Sequence, residues 1–177
     1  TAEEAKMGYV GAFTYAEVIS GYTSFYLGAK SVCPSVTMDV QFTGSWYDPT
    51  LEKNAAEALI AADCVLISQH ADSMGAPGAC EAAGIPNVSY NGSTYDACPT
   101  TFIVSSRINW APYFNYIIKC VNTDEAIATD WCGGIAEGSV VLTGINQDVA
   151  AEGTVKAIED AVAQFKAGTL KVFDTSK

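Results

Sequence analysis

Arginine is almost missing from this chain. Arg107 is the only one, and nine basic residues against twenty acidic ones leave a net charge of −11. Proteins that bind nucleic acid neutralise phosphates with clustered Lys and Arg, so no nucleic-acid partner is expected. Histidine is equally scarce: a hydrolytic triad would have to be built on His70, with a nucleophile and an orienting acid in hydrogen-bond reach. Asp72, two residues on, would have to orient it from a loop. Also lacking are a Gly-x-x-x-x-Gly-Lys-Ser/Thr phosphate loop, a Gly-x-Gly-x-x-Gly dinucleotide turn, a His-Glu-x-x-His zinc helix and a Gly-x-Ser-x-Gly elbow. These absences argue against an enzyme and imply neither cofactor nor metal.

No apolar run approaches the roughly 20 residues that span a bilayer. Thr1 and the polar residues after it do not resemble a signal peptide, so the chain is expected to have been trimmed. None of the six cysteines forms a Cys-x-x-Cys pair. Six thiols can pair in about 15 ways, so buried thiols and disulfides both stay open. Cys64 and Cys80 read as small core residues.

What is present suits one folded unit over residues 1–177. A hydrophobic fraction of 49% and a charged fraction of 16% rule out disorder. Strand signals at Met7–Phe13, Val36–Phe42, Cys64–Ile67, Pro86–Tyr90 and Thr101–Val104 alternate with helical spacing. The first helix carries Val18, Tyr22, Phe25, Ala29 and Val32. The second opens on Asp48 and Pro49, a cap followed by proline at the first helical position. The third ends at Gly84, a fourth runs from about Pro112 to Ile127, and a last from Val149 to Ala167. Residues 139–145 form a further apolar stretch. This alternation predicts an α/β fold with a doubly wound parallel sheet, strand order 2-1-3-4-5.

In such a sheet the carboxyl ends of the parallel strands share one edge, where ligands bind. Aromatic and polar residues cluster there: Phe13, Trp46, Tyr47, His70, Asp72, Asn91 and Trp110. Trp46, Tyr47 and Trp110 offer walls on which flat rings stack, or they pack in a core or interface. His70 can stack and present one donor and one acceptor, or it is a surface-loop residue. Asp72 accepts ligand N–H or O–H groups, or it caps the helix beginning near Ser73. Asn91 suits a purine or amide edge, or serves the Asn91-Gly92 turn. Together they suit holding a small planar polar molecule rather than transforming it.

Seven blocks, in order, carry a family resemblance: Gly8-Tyr9-Val10-Gly11-Ala12-Phe13, Gly28-Ala29-Lys30-Ser31-Val32, Ser45-Trp46-Tyr47-Asp48-Pro49, Gln69-His70-Ala71-Asp72-Ser73, Tyr90-Asn91, Trp110-Ala111-Pro112-Tyr113 and Val172-Phe173-Asp174-Thr175. They resemble the basic membrane protein family of substrate-binding lipoproteins of ABC importers, which includes purine-nucleoside receptors. The resemblance implies a Rossmann-like lobe of a type I periplasmic-binding-protein fold, closing on ligand by hinge motion, with the first lobe largely absent from this chain. It further implies a purine base or nucleoside as ligand and ABC permease subunits as partners of the full-length protein. That protein would be extracytoplasmic and held to the membrane as a lipoprotein. Nucleoside-binding relatives carry an aspartate where this chain has Asn91 and a lysine after strand five where it has none, which points toward a free base or another flat heterocycle. A ligand-sensing module on the same fold is the alternative. An isolated lobe is expected to bind weakly and to self-associate.

Overall fold

A computed structural model of the chain describes residues 5–173. Six strands form one sheet in the order β2-β1-β3-β4-β5-β6. They are β1 (Lys6–Gly11), β2 (Thr37–Phe42), β3 (Leu66–Gln69), β4 (Asn87–Tyr90), β5 (Phe102–Ile108) and β6 (Val140–Leu142). The first five pair in parallel, and β6 adds an antiparallel edge, with Ser106 opposite Leu142 and Ile108 opposite Val140. The expected order of the five parallel strands is therefore observed. The sixth strand lies in the apolar stretch at 139–145. Its three residues are too few for period-2 alternation to stand out.

Among the described residues are five α-helices, α1 (Ala16–Val32), α2 (Pro49–Ala61), α3 (Gly75–Ala83), α4 (Ala111–Thr123) and α5 (Thr154–Lys166), and a short 3-10 turn at Tyr95–Ala97. Helices α2 and α3 cover one face, where Val10, Ala56, Leu59, Ile67, Ala76 and Cys80 are buried together. Burying a Leu or Ile side chain contributes about 1.5–3 kcal/mol, and this layer is the principal core. Helix α1 lies on the other face, with Tyr22 and Phe25 against the Tyr9 ring at centroid distances of 5.9 and 6.1 Å.

Some element ends follow their local signals, and others lie elsewhere than the sequence predicts. Asp48 caps α2 as its sequence predicts, its carboxylate accepting from the N–H groups of Thr50 (3.0 Å) and Leu51 (2.9 Å). Gly84 takes the left-handed conformation that closes α3, with φ of 66°. Strand β5 runs four residues past its predicted end at Val104, because pairing with β6 gives Ser106–Ile108 ladder partners. Helix α4 stops at Thr123, where Asp124 turns left-handed with φ of 55°. Helix α5 begins at Thr154 rather than Val149, since Gly153 at φ of 84° interrupts the helical path. Cys64, Cys80, Cys98 and Cys120 are buried free thiols, and Cys132 is an exposed one. Asp174 and Thr175, from the last resembling block, lie outside the described residues. Among the described residues no helix is long and apolar enough to cross a membrane.

The Cys80 thiol is pushed up to about 12, with burial as the chief cause and a hydrogen bond from Asn87 opposing it. Thiolate is the reactive form, so at pH 8 this group is inert while the chain stays folded. Labelling with a disulfide reagent is expected to modify Cys132 well before Cys64, Cys80, Cys98 or Cys120. Those four should react together on unfolding, and mass spectrometry of a time course checks the order.

Candidate functional site

The carboxyl edge of the sheet is built of rings. Phe13, just past β1, stacks on Tyr15 at 5.3 Å and meets Trp46 edge-on at 5.2 Å. Trp46, in the loop after β2, lies 6.0 Å from both Tyr15 and the His70 imidazole. His70, the residue after β3, stacks on Tyr90 at the end of β4, with centroids 4.3 Å apart and planes 20° from parallel. Phe13, Tyr15, Trp46, His70 and Tyr90 thus form one chain of rings across four adjacent strands.

His70 is buried, at 4% exposure, which overturns its reading as a surface-loop residue. Its position follows from β3: alternation along the strand sends Ser68 and His70 to the α1 face and Ile67 and Gln69 to the α2–α3 face. Helix α1 comes close at Gly21, where a β-carbon would sit 3.3 Å from the imidazole. The Nδ1 of His70 has no hydrogen-bond partner among the described residues. Its Nε2 lies 4.0 Å from a carboxylate oxygen of Glu17 on α1.

Asp72 is exposed at the same edge, and its backbone N–H donates to the Trp46 carbonyl at 2.9 Å, tying the loops after β3 and β2 together. Its carboxyl is raised above the usual aspartate range by partial burial; the neighbouring Glu17 charge adds to this and His70 opposes it. Asp72 does not cap α3. Ser73 Oγ accepts the Gly75 N–H at 3.1 Å. The Ser73 N–H in turn donates to the Glu52 carboxylate at 3.0 Å. A helix start already supplied with acceptors leaves the Asp72 side chain pointing to solvent at the edge.

Asn91 serves as a turn residue. Its φ is 64°, and its N–H donates to the Ser106 carbonyl at 2.6 Å. That position still leaves its side chain exposed beside Tyr90. Trp110 stands apart. Its ring neighbours are Tyr113 at 6.2 Å and Phe114 at 6.4 Å, both on α4. Four strand spacings separate the β2 and β5 ends, roughly 19 Å at about 4.8 Å per strand, so Trp110 and Trp46 mark opposite ends of one edge. The structure brings Phe13, Trp46, His70 and Asp72 together, places Asn91 next to them, and sets Trp110 against α4.

Below this edge, on the α1 face, a cavity of about 610 Å³ is lined by Glu17, His70, Tyr90, Ser106 and Arg107 over an apolar floor that includes Val88 and Val104. Pockets of about 300–1,000 Å³ suit small molecules. Tyr15 and Glu17 are site-forming residues that sequence reasoning passed over, and Tyr90 is one it placed at a strand end without giving it a role. Tyr90 was legible as the last residue of a strand, whereas Glu17 reaches the site only because α1 folds back over β3. Glu52 was missed as well, since nothing local shows that an acidic residue on a helix becomes fully buried.

A doubly wound sheet with rings and acceptors along its carboxyl edge is the architecture of a periplasmic-binding-protein lobe. A solved ABC transporter solute-binding protein from Conexibacter woesei superposes with a TM-score of 0.78 over 96% of this chain and 58% of its own, at 19% identity. By sequence, the chain belongs to the Bmp family of PnrA-like ABC transporter substrate-binding proteins, whose model matches residues 1–175. It is 32% identical over 169 residues to a purine-binding protein of Brucella abortus, covering 94% of this chain and 47% of that one. It is 29% identical over 161 residues to a protein of Haloferax volcanii named, provisionally, as an ABC transporter glucose-binding protein, covering 91% and 40%. The chain therefore spans about half the length of these two relatives.

Proposed function

We propose that the chain is one lobe of a two-lobe solute-binding protein serving an ABC importer, and that its carboxyl edge holds a planar polar solute of the purine class. The carrying observation is the ring series Trp46–His70–Tyr90 with the Asp72 carboxylate beside it. Flat rings stack on such walls for about 0.5–1.5 kcal/mol each beyond burial. The exposed Asp72 carboxylate is an acceptor that suits the N–H groups of a nucleobase. The purine-binding relative supports this class, and the glucose-binding name of the other makes a sugar the outcome to test against. In this reading Phe13, Trp46, His70, Asp72 and Asn91 contact the solute. The full-length protein works outside the cytoplasm as an anchored lipoprotein delivering solute to permease subunits.

Calorimetry of the full-length protein against adenine, guanine, their nucleosides and glucose tests the reading. A purine is expected to bind at micromolar affinity or better, with glucose silent; heat from glucose alone would overturn it. Trp46→Ala and His70→Ala should each weaken purine binding about tenfold, one stacking contact plus its buried area. The chain of 177 residues by itself should bind far more weakly, since a closed cleft normally buries most of its ligand.

Binding should also depend on pH through Asp72. Its raised pKa means that it takes up a proton at a higher pH than an ordinary aspartate and thereby ceases to be a pure acceptor. Affinity is expected to fall as pH drops through that raised value, ahead of the loss that an aspartate near pH 3.9 would give. Asp72→Asn should bind more weakly at neutral pH and flatten this limb. A limb unchanged in the variant would assign it to another group.

A further inference from the structure

Beyond the capture edge, we propose a second binding site at the far end of the sheet, for a small flat ring carrying a carboxylate or carbonyl oxygen. A cavity of about 320 Å³ lies there, walled by Trp110, Tyr113 and Trp131 and floored by Ile108, Ser139 and Val140. Tyr113 and Trp131 stand 5.2 Å apart, tilted by 55°, with Trp110 edge-on to Tyr113. That arrangement offers ring faces and edges to a planar guest.

Two features specify what the guest must carry. Ser139 is 5% exposed, and its Oγ is buried with no hydrogen-bond partner among the described residues. Such a hydroxyl is costly to leave unsatisfied, and its rotor can donate to an oxygen acceptor. The cavity also takes in the start of the 13-residue helix α4, which has no side-chain cap on its Trp110 terminus. The Ala111 N–H is taken by Asn109 Oδ1 at 3.3 Å, and the Phe114 N–H by the Trp110 carbonyl at 3.0 Å. Proline at position 112 has no N–H, so of the first-turn donors the Trp110 and Tyr113 N–H groups are left over among the described residues. The helix dipole adds positive potential at that point. No charged side chain lines the cavity. A hydroxyl donor, spare amides and a positive helix end together select an acceptor oxygen and disfavour a cation.

The geometry is also held in place. Asn109 donates from Nδ2 to the Gly138 carbonyl at 2.9 Å, pinning the rim to the Ser139 loop. A β-carbon at Gly133 would lie 2.6 Å from Ser139 Oγ and would collide with the Trp131 ring, so the loop passes as close as a backbone can. The cavity at the capture edge meets this one at Ile108 and Val140 but differs in its polar lining, which carries the charged Glu17 and Arg107.

The test uses benzoate and benzamidinium, flat rings of equal size and opposite charge, titrated into the full chain. Binding is followed by the indole N–H resonances of Trp46, Trp110 and Trp131, assigned by Trp→Phe substitution. Benzoate is expected to shift Trp110 and Trp131 together and saturably while Trp46 stays still, and benzamidinium to shift neither. Ser139→Ala should weaken benzoate about fivefold, the worth of one neutral hydrogen bond, with an unchanged far-ultraviolet circular dichroism spectrum. Absent saturation, equal response to benzamidinium, or full affinity in Ser139→Ala would overturn the proposal.

Discussion

Replacing Glu52 with alanine is expected to lower the free energy of unfolding by about 3 kcal/mol, from the two charge-assisted hydrogen bonds it removes. The carboxylate is fully buried and joins two loops. One oxygen accepts the Asp48 N–H at 3.1 Å, at the start of α2, and the other accepts the Ser73 N–H at 3.0 Å, just before α3. Truncation removes the acceptor and leaves both N–H groups without it, the costly direction of such a change. Glu52→Gln keeps one carbonyl oxygen and should recover about half of the loss. Urea unfolding of the three proteins checks the order. A loss below about 1 kcal/mol for the alanine variant would mean that water replaces the carboxylate and that the site is less closed than the structure has it. The effect should reach function too, because Ser73 follows Asp72: the full-length Glu52→Ala protein is expected to bind purine more weakly even where it remains folded.

The second large effect is a reversal of sign within one helix. Alanine is favoured over glycine in helices by about 1 kcal/mol, so helix propensity predicts that both Gly75→Ala and Gly78→Ala stabilise α3. At Gly78 nothing lies within 4 Å of the position a β-carbon would take, and a gain of about 0.5–1 kcal/mol is expected. At Gly75 the same methyl would be driven into the Pro49 carbonyl oxygen and would lie 3.0 Å from the Lys53 backbone nitrogen. Backbone cannot swing away as a side chain can, so α2 and α3 must separate. The expected cost is about 2–3 kcal/mol, that of overpacking a close contact. Thermal unfolding of the two single variants decides: equal shifts of either sign would show that α2 and α3 are not packed as described.

These two cases mark how far the chain's own letters reach. Strand order, the Asp48 cap and the Gly84 stop were readable because each rests on neighbours in sequence: alternation, a cap followed by proline, a glycine after a helical run. The end of β5 was not, because the ladder that extends it to Ile108 is supplied by β6, more than thirty residues later. The start of α5 was misjudged because a helical pattern carries on through residues that Gly153 turns aside.

The candidate site divides the same way. That Phe13, Trp46, His70, Asp72 and Asn91 occupy one edge follows from the parallel topology, which strand and helix periodicity already imply. How they sit there does not. The His70–Tyr90 stack, the Glu17 carboxylate reaching over from α1 and the release of Asp72 from any capping role all depend on side chains from different strands and helices meeting in space. Trp110 shows the limit most plainly: it belongs to the expected edge, yet its ring rests on α4.

By itself, then, the sequence determined the class of fold, the order of the parallel strands, the edge on which the aromatic residues gather and the family to which the chain belongs. Those depend on periodicity, on turn and cap chemistry and on short motifs, all written within a few neighbouring residues. Only the tertiary structure decided which rings touch, which acid is buried and which glycine can bear a methyl group. Contacts between distant segments depend on how helices lean on the sheet to within an ångström, and no local pattern encodes that distance.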